Sequence, residues 1–134
     1  MHVDLTVQEC EATLAAIVRL KFNGTGDAPE PYFGSPFVAE ATSKMLQAVI
    51  DESNRIDDQR RAAGWQQWAQ WSNRTAEPPI VIRHAASTTH WETWSRTERV
   101  LYLKASTAPF ILTESDFEAL ISAIDAERHW PTTA

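Results

Sequence analysis

With a single cysteine, Cys10, this chain of 134 residues cannot close an intramolecular disulfide. That scarcity suits a reducing compartment, and a cytoplasmic location is the expectation. The N-terminal stretch MHVDLTVQEC has neither a basic n-region nor an apolar h-region, so it does not read as a secretory signal. No apolar run approaches the roughly 18–20 residues of a membrane-spanning helix. Basic charge is also short: 12 Lys and Arg stand against 18 Asp and Glu, a net charge of −6. A nucleic-acid or anionic-membrane surface is therefore disfavoured. The acids are dispersed rather than gathered in a run, which also speaks against an acidic tail that mimics DNA.

Catalytic signatures are missing too. The chain has no Gly-x-Ser-x-Gly turn, no phosphate-cradling glycine loop and no dinucleotide fingerprint. It has no Cys-x-x-Cys, His-Glu-x-x-His or EF-hand spacing, and His84, His90 and His129 are too scattered to suggest a metal site. Cys10 falls in the first turn of a predicted helix, where the dipole could lower its pKa, but its position there reads as a packed, inert thiol. The expectation is no catalytic residue, no cofactor and no metal.

What is present describes one domain spanning 1–134. Hydrophobic content of 43% and charged content of 22% are ordinary for a folded protein. Leu5-Thr6-x-x-Glu9 is a capping box, and Val7, Cys10, Leu14, Ile17 and Val18 make a helical stripe, so a helix is expected over about 7–22. Asn23-Gly24 reads as its stop. The stretch GTGDAPEPYFGSP, 24–36, is a loop in which Tyr32 and Phe33 are the large apolar residues. Ser35-Pro36 opens a long helix carrying Val38, Thr42, Met45, Leu46, Val49, Ser53, Ile56 and Ala63 on one broad face. Acid-first pairs at i,i+4, Glu40–Lys44, Asp51–Arg55 and Asp57–Arg61, mark its outer face.

The segment GWQQWAQW, 64–71, follows. A glycine cap at Gly64 is expected to end the long helix, because a straight continuation would turn Trp65 away from the stripe of Ile56 and Ala63. A short helix over 65–72 then carries Trp65, Trp68 and Trp71. Beyond Pro78-Pro79 the period reads as two. Ile80–His84, Thr88–Ser95 and Arg99–Lys104 read as strands, with Phe110–Leu112 a short fourth. Leu112-Thr113-x-x-Asp116 caps a last helix through Phe117, Leu120, Ile121 and Ile124. The fold class expected is α+β, with N-terminal helices, a small antiparallel sheet of three or four strands and a C-terminal helix.

The candidate surface joins Trp65, Trp68, Trp71, His84, His90, Trp91 and Trp94, with Tyr32 and Phe33 from the loop. Large aromatics bury much apolar area, so most of them are expected to build core, with Trp65 the most exposed. Base stacking would want interleaved Arg or Lys, whereas 65–71 interleaves Gln and Ala. The functional expectation is a non-catalytic protein–protein interaction module whose partner is another protein or a second copy of itself. An accessory, inhibitory or immunity-type role in a bacterial or phage system is the specific form of that reading. The alternative is a small-ligand-binding protein or enzyme using a Trp/His-lined pocket.

Overall fold

The computed structural model describes residues 1–23 and 32–129; the expected stop at Gly24 and most of the 24–36 loop lie outside them. The described residues are helical: α1 (Val7–Lys21), α2 (Pro36–Arg55), α3 (Gln59–Ala69), α4 (Glu77–Ala86), α5 (Arg96–Thr107) and α6 (Glu114–His129). Short 3₁₀ turns cover Trp71–Asn73 and Trp91–Thr93. The expected α+β class is thus corrected: the described residues contain no strand and no sheet. Their one β feature is an isolated parallel bridge between Gln70 and Ile111.

The helix starts foreseen from capping chemistry are in place. Thr6 accepts from the Glu9 amide while the Glu9 carboxylate accepts from the Thr6 amide. Thr113 and Asp116 make the same reciprocal pair at the start of α6. Ser35 caps α2 by accepting from the Val38 amide, with Pro36 in the first turn.

The long helix ends at Arg55, nine residues before Gly64. Asp57 takes a left-handed conformation, φ 61°. The Asp58 amide reaches back to Ser53 O at 2.7 Å and the Asp57 amide to Asn54 O at 3.1 Å. This is a Schellman stop, with aspartate in the position glycine usually fills. Asp58 then caps α3 by accepting from the Arg61 amide. Gly64 sits inside α3, and its φ is not positive. The turn at Asp57 resets the helical phase, so Ala62, Trp65 and Ala69 face inward while Ile56 and Ala63 do not. The face predicted for a single helix was measured against the wrong residues.

The expected strands are helices for identifiable reasons. Pro78 and Pro79 occupy the first turn of α4, where backbone amides have no helical acceptor to lose. The β-branched run Ile80-Val81-Ile82 suggested a strand, but Val81, His84 and Ala85 are buried at helical spacing. Tertiary burial overrides local propensity there. α5 carries a full capping box, Ser95 with Glu98, which the apolar run from Val100 to Leu103 obscured. Residues 88–95 form the connection containing the 3₁₀ turn, and Phe110–Leu112 contributes only the bridge to Gln70.

Helix α1 packs on α2, α2 on α3 and α5, and α4 on both α5 and α6. One core joins Leu14 and Val18, Leu46 and Ile50, Val81, Leu103, and Leu120 and Ile124. Gly64→Ala separates a continuous α3 from a glycine stop. A Cβ at Gly64 meets nothing within 4 Å. Urea unfolding is expected to show Gly64→Ala more stable than wild type by about 0.5–1 kcal/mol; a loss would indicate a left-handed glycine at this position.

Candidate functional site

The tryptophans and histidines do not converge on one concavity; they divide into two aromatic groups. The first runs from Trp65 to His84, and Phe22 and Phe110 join it without having been among the candidate residues. Trp65 meets Trp68 with ring centroids 5.0 Å apart, and Trp68 meets Phe110 at 5.0 Å. Phe110 also contacts Trp71 at 6.2 Å and Phe22 at 5.6 Å. Phe22 leads to Phe33 at 5.9 Å, and Phe33 to His84 at 4.7 Å. The second group is Trp91, Trp94 and Tyr102, with centroid separations of 6.3 and 5.2 Å.

Within the first group Trp65 is half-buried, its Nε1 donating to Glu11 on α1 at 2.7 Å, so it is not left in water as expected. Trp65 and Trp68 border an open hollow of about 380 Å³ with Ala15, Arg61 and Gly64. The Arg74 guanidinium lies 4.8 Å from the Phe110 ring and 5.4 Å from Trp68 while pairing with buried Glu77 at 2.7 Å. Phe33 is buried, whereas Tyr32 beside it is exposed. Burial, helped by the neighbouring Arg83 charge, lowers the His84 imidazole below its ordinary value.

The second group fastens α6 to the 88–95 connection. Trp91 is fully buried, and its Nε1 donates to Asp125 at 2.8 Å. Arg99 lies over its ring at 4.8 Å and donates to its carbonyl. Arg128 donates to the carbonyls of Ala86 and Thr88 and pairs with Glu92. His90 is exposed and stands apart from both groups. Among the described residues no three His, Cys, Asp or Glu side chains gather as metal ligands would, and no helix is long and apolar enough to cross a membrane.

Two features outside the expected set carry more chemistry. The first is Lys21, 4% exposed at the end of α1. It continues the buried rhythm of Cys10, Leu14 and Val18, so a lysine on an apolar stripe was the available signal. Its Nζ donates to the carbonyls of Ala105 and Ala108, each at 2.7 Å. Those carbonyls belong to the C-terminal end of α5, where helical acceptors are unpaired. The rings of Phe22 and Phe33 lie 5.4 and 6.0 Å from the same nitrogen. Burial pushes the amine down from 10.5 to about 7.

The second feature is an exposed apolar face around the start of α2. Phe37 is 83% exposed and Tyr32, Leu20 and Leu101 are each at least 60% exposed. At about 100° per residue, Phe37 points opposite the buried side of α2 defined by Ala39, Thr42, Leu46 and Val49. Grooves run on either side of it. One, toward α5, is lined by Pro36, Ala39, Glu40, Leu101 and Lys104 among others. The other, toward α1, is lined by Ile17, Leu20, Lys21, Tyr32 and Val38.

The chain matches no protein-family model, no curated protein and no solved structure.

Lys21 should make stability depend on pH in the alkaline range. Its folded pKa is lowered, so as pH falls below 10.5 the unfolded chain takes up a proton that the folded chain refuses until about 7. The contribution is complete above the unfolded pKa, is lost progressively through that window, and is level below it. Urea unfolding is expected to show stability rising between neutral pH and about pH 9 in the wild type, with that rise absent in Lys21→Met.

Proposed function

We propose that the chain is a non-catalytic protein-binding domain whose contact surface is centred on Phe37. The observation that supports this reading is the placement of that ring. A phenylalanine on the outward side of α2, flanked by grooves with Leu101 on one side and Leu20 and Tyr32 on the other, presents a knob between two apolar hollows. Aromatic anchors of this type concentrate binding energy at protein interfaces. A polar rim surrounds it, with Glu40, Lys44 and Lys104 exposed at the edges.

The net charge of −6 favours a partner with a basic surface, because long-range attraction raises the encounter rate. An accessory or inhibitory role in a bacterial or phage system, as an immunity-type protein plays against a basic target, suits this size and acidity. The one cysteine is free and buried, which is in keeping with a reducing, cytoplasmic setting.

The paired test is capture of a partner by the wild type and by Phe37→Ser, together with light scattering for self-association. Removing the exposed ring should leave the thermal midpoint almost unchanged, since surface substitutions usually alter stability by no more than about 0.5 kcal/mol. Binding should fall by tenfold or more, as for an anchor worth about 2 kcal/mol. Undiminished binding by Phe37→Ser and by Leu101→Ser would remove this surface from consideration.

A further inference from the structure

We propose that the hollow over Gly64, between α1 and α3, binds a flat uncharged aromatic ring the size of indole, as a free small molecule. The described residues that line it are Ala15 of α1 and Arg61, Gly64, Trp65 and Trp68 of α3, and it encloses about 380 Å³. That lies toward the small end of ordinary ligand pockets, about 300–1,000 Å³. The site is separate from the Phe37 contact surface and does not rest on it.

The glycine is the first observation. In a helix interior glycine is destabilising relative to alanine. Gly64 lies in the middle of α3 and its φ is not positive. A Cβ there would meet no atom of the described residues within 4 Å. Glycine is thus required neither by a left-handed backbone nor by crowding among those residues. What the missing side chain does is leave bare backbone at the floor of the hollow. Close approach of a ligand to the main chain is one of the uses glycine serves.

The walls are held in place before any ligand arrives. Trp65 and Trp68 stand at 78° to each other with ring centroids 5.0 Å apart. The Trp65 Nε1 donates to Glu11 at 2.7 Å, and the Arg61 Nε lies 3.3 Å from the same carboxylate oxygen. Trp68 is seated against Phe110 at 5.0 Å and lies 5.4 Å from the Arg74 guanidinium. A helical side chain leans over the turn before its own Cα, so Trp68 leans toward the turn that holds Gly64. Walls fixed in this way lose little freedom on binding.

These walls select the ligand. Aromatic rings prefer offset-stacked or edge-to-face contacts, with centroids about 4.5–7 Å apart. Two indoles at nearly a right angle offer a third ring one face and one edge together. The single N–H donor of Trp65 is committed to Glu11, so that residue presents the ligand with its ring alone. The Arg61 charge at the edge is paired with Glu11, so an uncharged ring is favoured over an ion that must shed its own water.

NMR of the tryptophan Nε1–H resonances, assigned through Trp65→Phe, Trp68→Phe and Trp91→Phe, tests the proposal with indole as probe. Titration should shift Trp65 and Trp68 along one saturating curve, with about millimolar affinity or tighter for so small a ligand. Buried Trp91 should stay unmoved. Phenol should shift the same two resonances, and cyclohexanol, its saturated counterpart, should bind more weakly by tenfold or more. Gly64→Leu, which fills the floor, should abolish indole binding while retaining the helical circular dichroism. Gly64→Ala should weaken binding while stabilising the fold, so that affinity and stability move in opposite directions. Phe37→Ser should bind indole as the wild type does. Unmoved Trp65 and Trp68 resonances, an equal response to phenol and cyclohexanol, or undiminished indole binding by Gly64→Leu would each overturn the proposal. So would a response to the peptide Ala-Trp-Ala with none to free indole, because the hollow would then take a partner's side chain.

Discussion

The connection between α5 and α6 begins in the interior, and its buried backbone polar groups must find partners away from water. Ser106 and Thr107 at the end of α5, and Ala108 and Phe110 just beyond it, are all buried. A buried, non-repeating segment is costly unless its amides and carbonyls are satisfied. The neighbouring helices supply partners. Lys21 of α1 takes the Ala105 and Ala108 carbonyls. The end of α3 and the turn after it take two more: the Ile111 amide donates to Ala69 O at 2.8 Å, and the Trp71 amide donates to Ile111 O at 3.0 Å. Thr107 turns its own hydroxyl onto Leu103 O. The two bonds made by Ile111 are the isolated parallel bridge between Gln70 and Ile111.

That constraint explains where the aromatics go. Phe110 leaves the connection as a plug, and Phe22, Trp68, Trp71 and the Arg74 guanidinium close around it. The GWQQWAQW segment packs Trp68 and Trp71 against Phe110 from the end of α3, while Trp65 and Trp68 also border the open hollow beside Ala15 and Arg61. On the other side, Trp91 does for α6 what Phe110 does for α3. Its indole is clamped between Arg99 and Asp125, and the 88–95 connection follows it. With the tryptophans packed in this way, the exposed apolar side chains include Phe37, Leu20, Tyr32 and Leu101.

Much of the helical punctuation was legible in the chain. Thr6 with Glu9, Ser35 with Pro36, and Thr113 with Asp116 announce helix starts because each supplies acceptors to amides that no helix can pair. Ser95 with Glu98 announced a fourth start in the same chemistry, but four apolar or aromatic residues in succession read more readily as a strand. The misreading at Ile80–Ile82 has the same root. A short apolar run has no intrinsic period, and only the layer it packs against reveals whether one face or two are covered. The stop at Asp57 was obscured because glycine is the expected left-handed residue and Gly64 stood nearby.

The candidate site was legible only in part. Phe33 as a loop anchor and the tryptophans as mainly core material follow from aromatic area alone. Lys21 was visible as an ion on an apolar stripe, and Phe37 as an apolar ring on a polar face, but neither position has meaning without neighbours. By itself the sequence determined the helix starts, the acidic surface and the abundance of core-forming aromatics, because capping, charge and side-chain area are local properties. Only the tertiary structure decided that α5 needed a lysine at its end, that Trp65 would turn toward Glu11, and that Phe37 would stand between two grooves. Those outcomes depend on which backbone groups are buried, and burial belongs to the assembled helices rather than to any one of them.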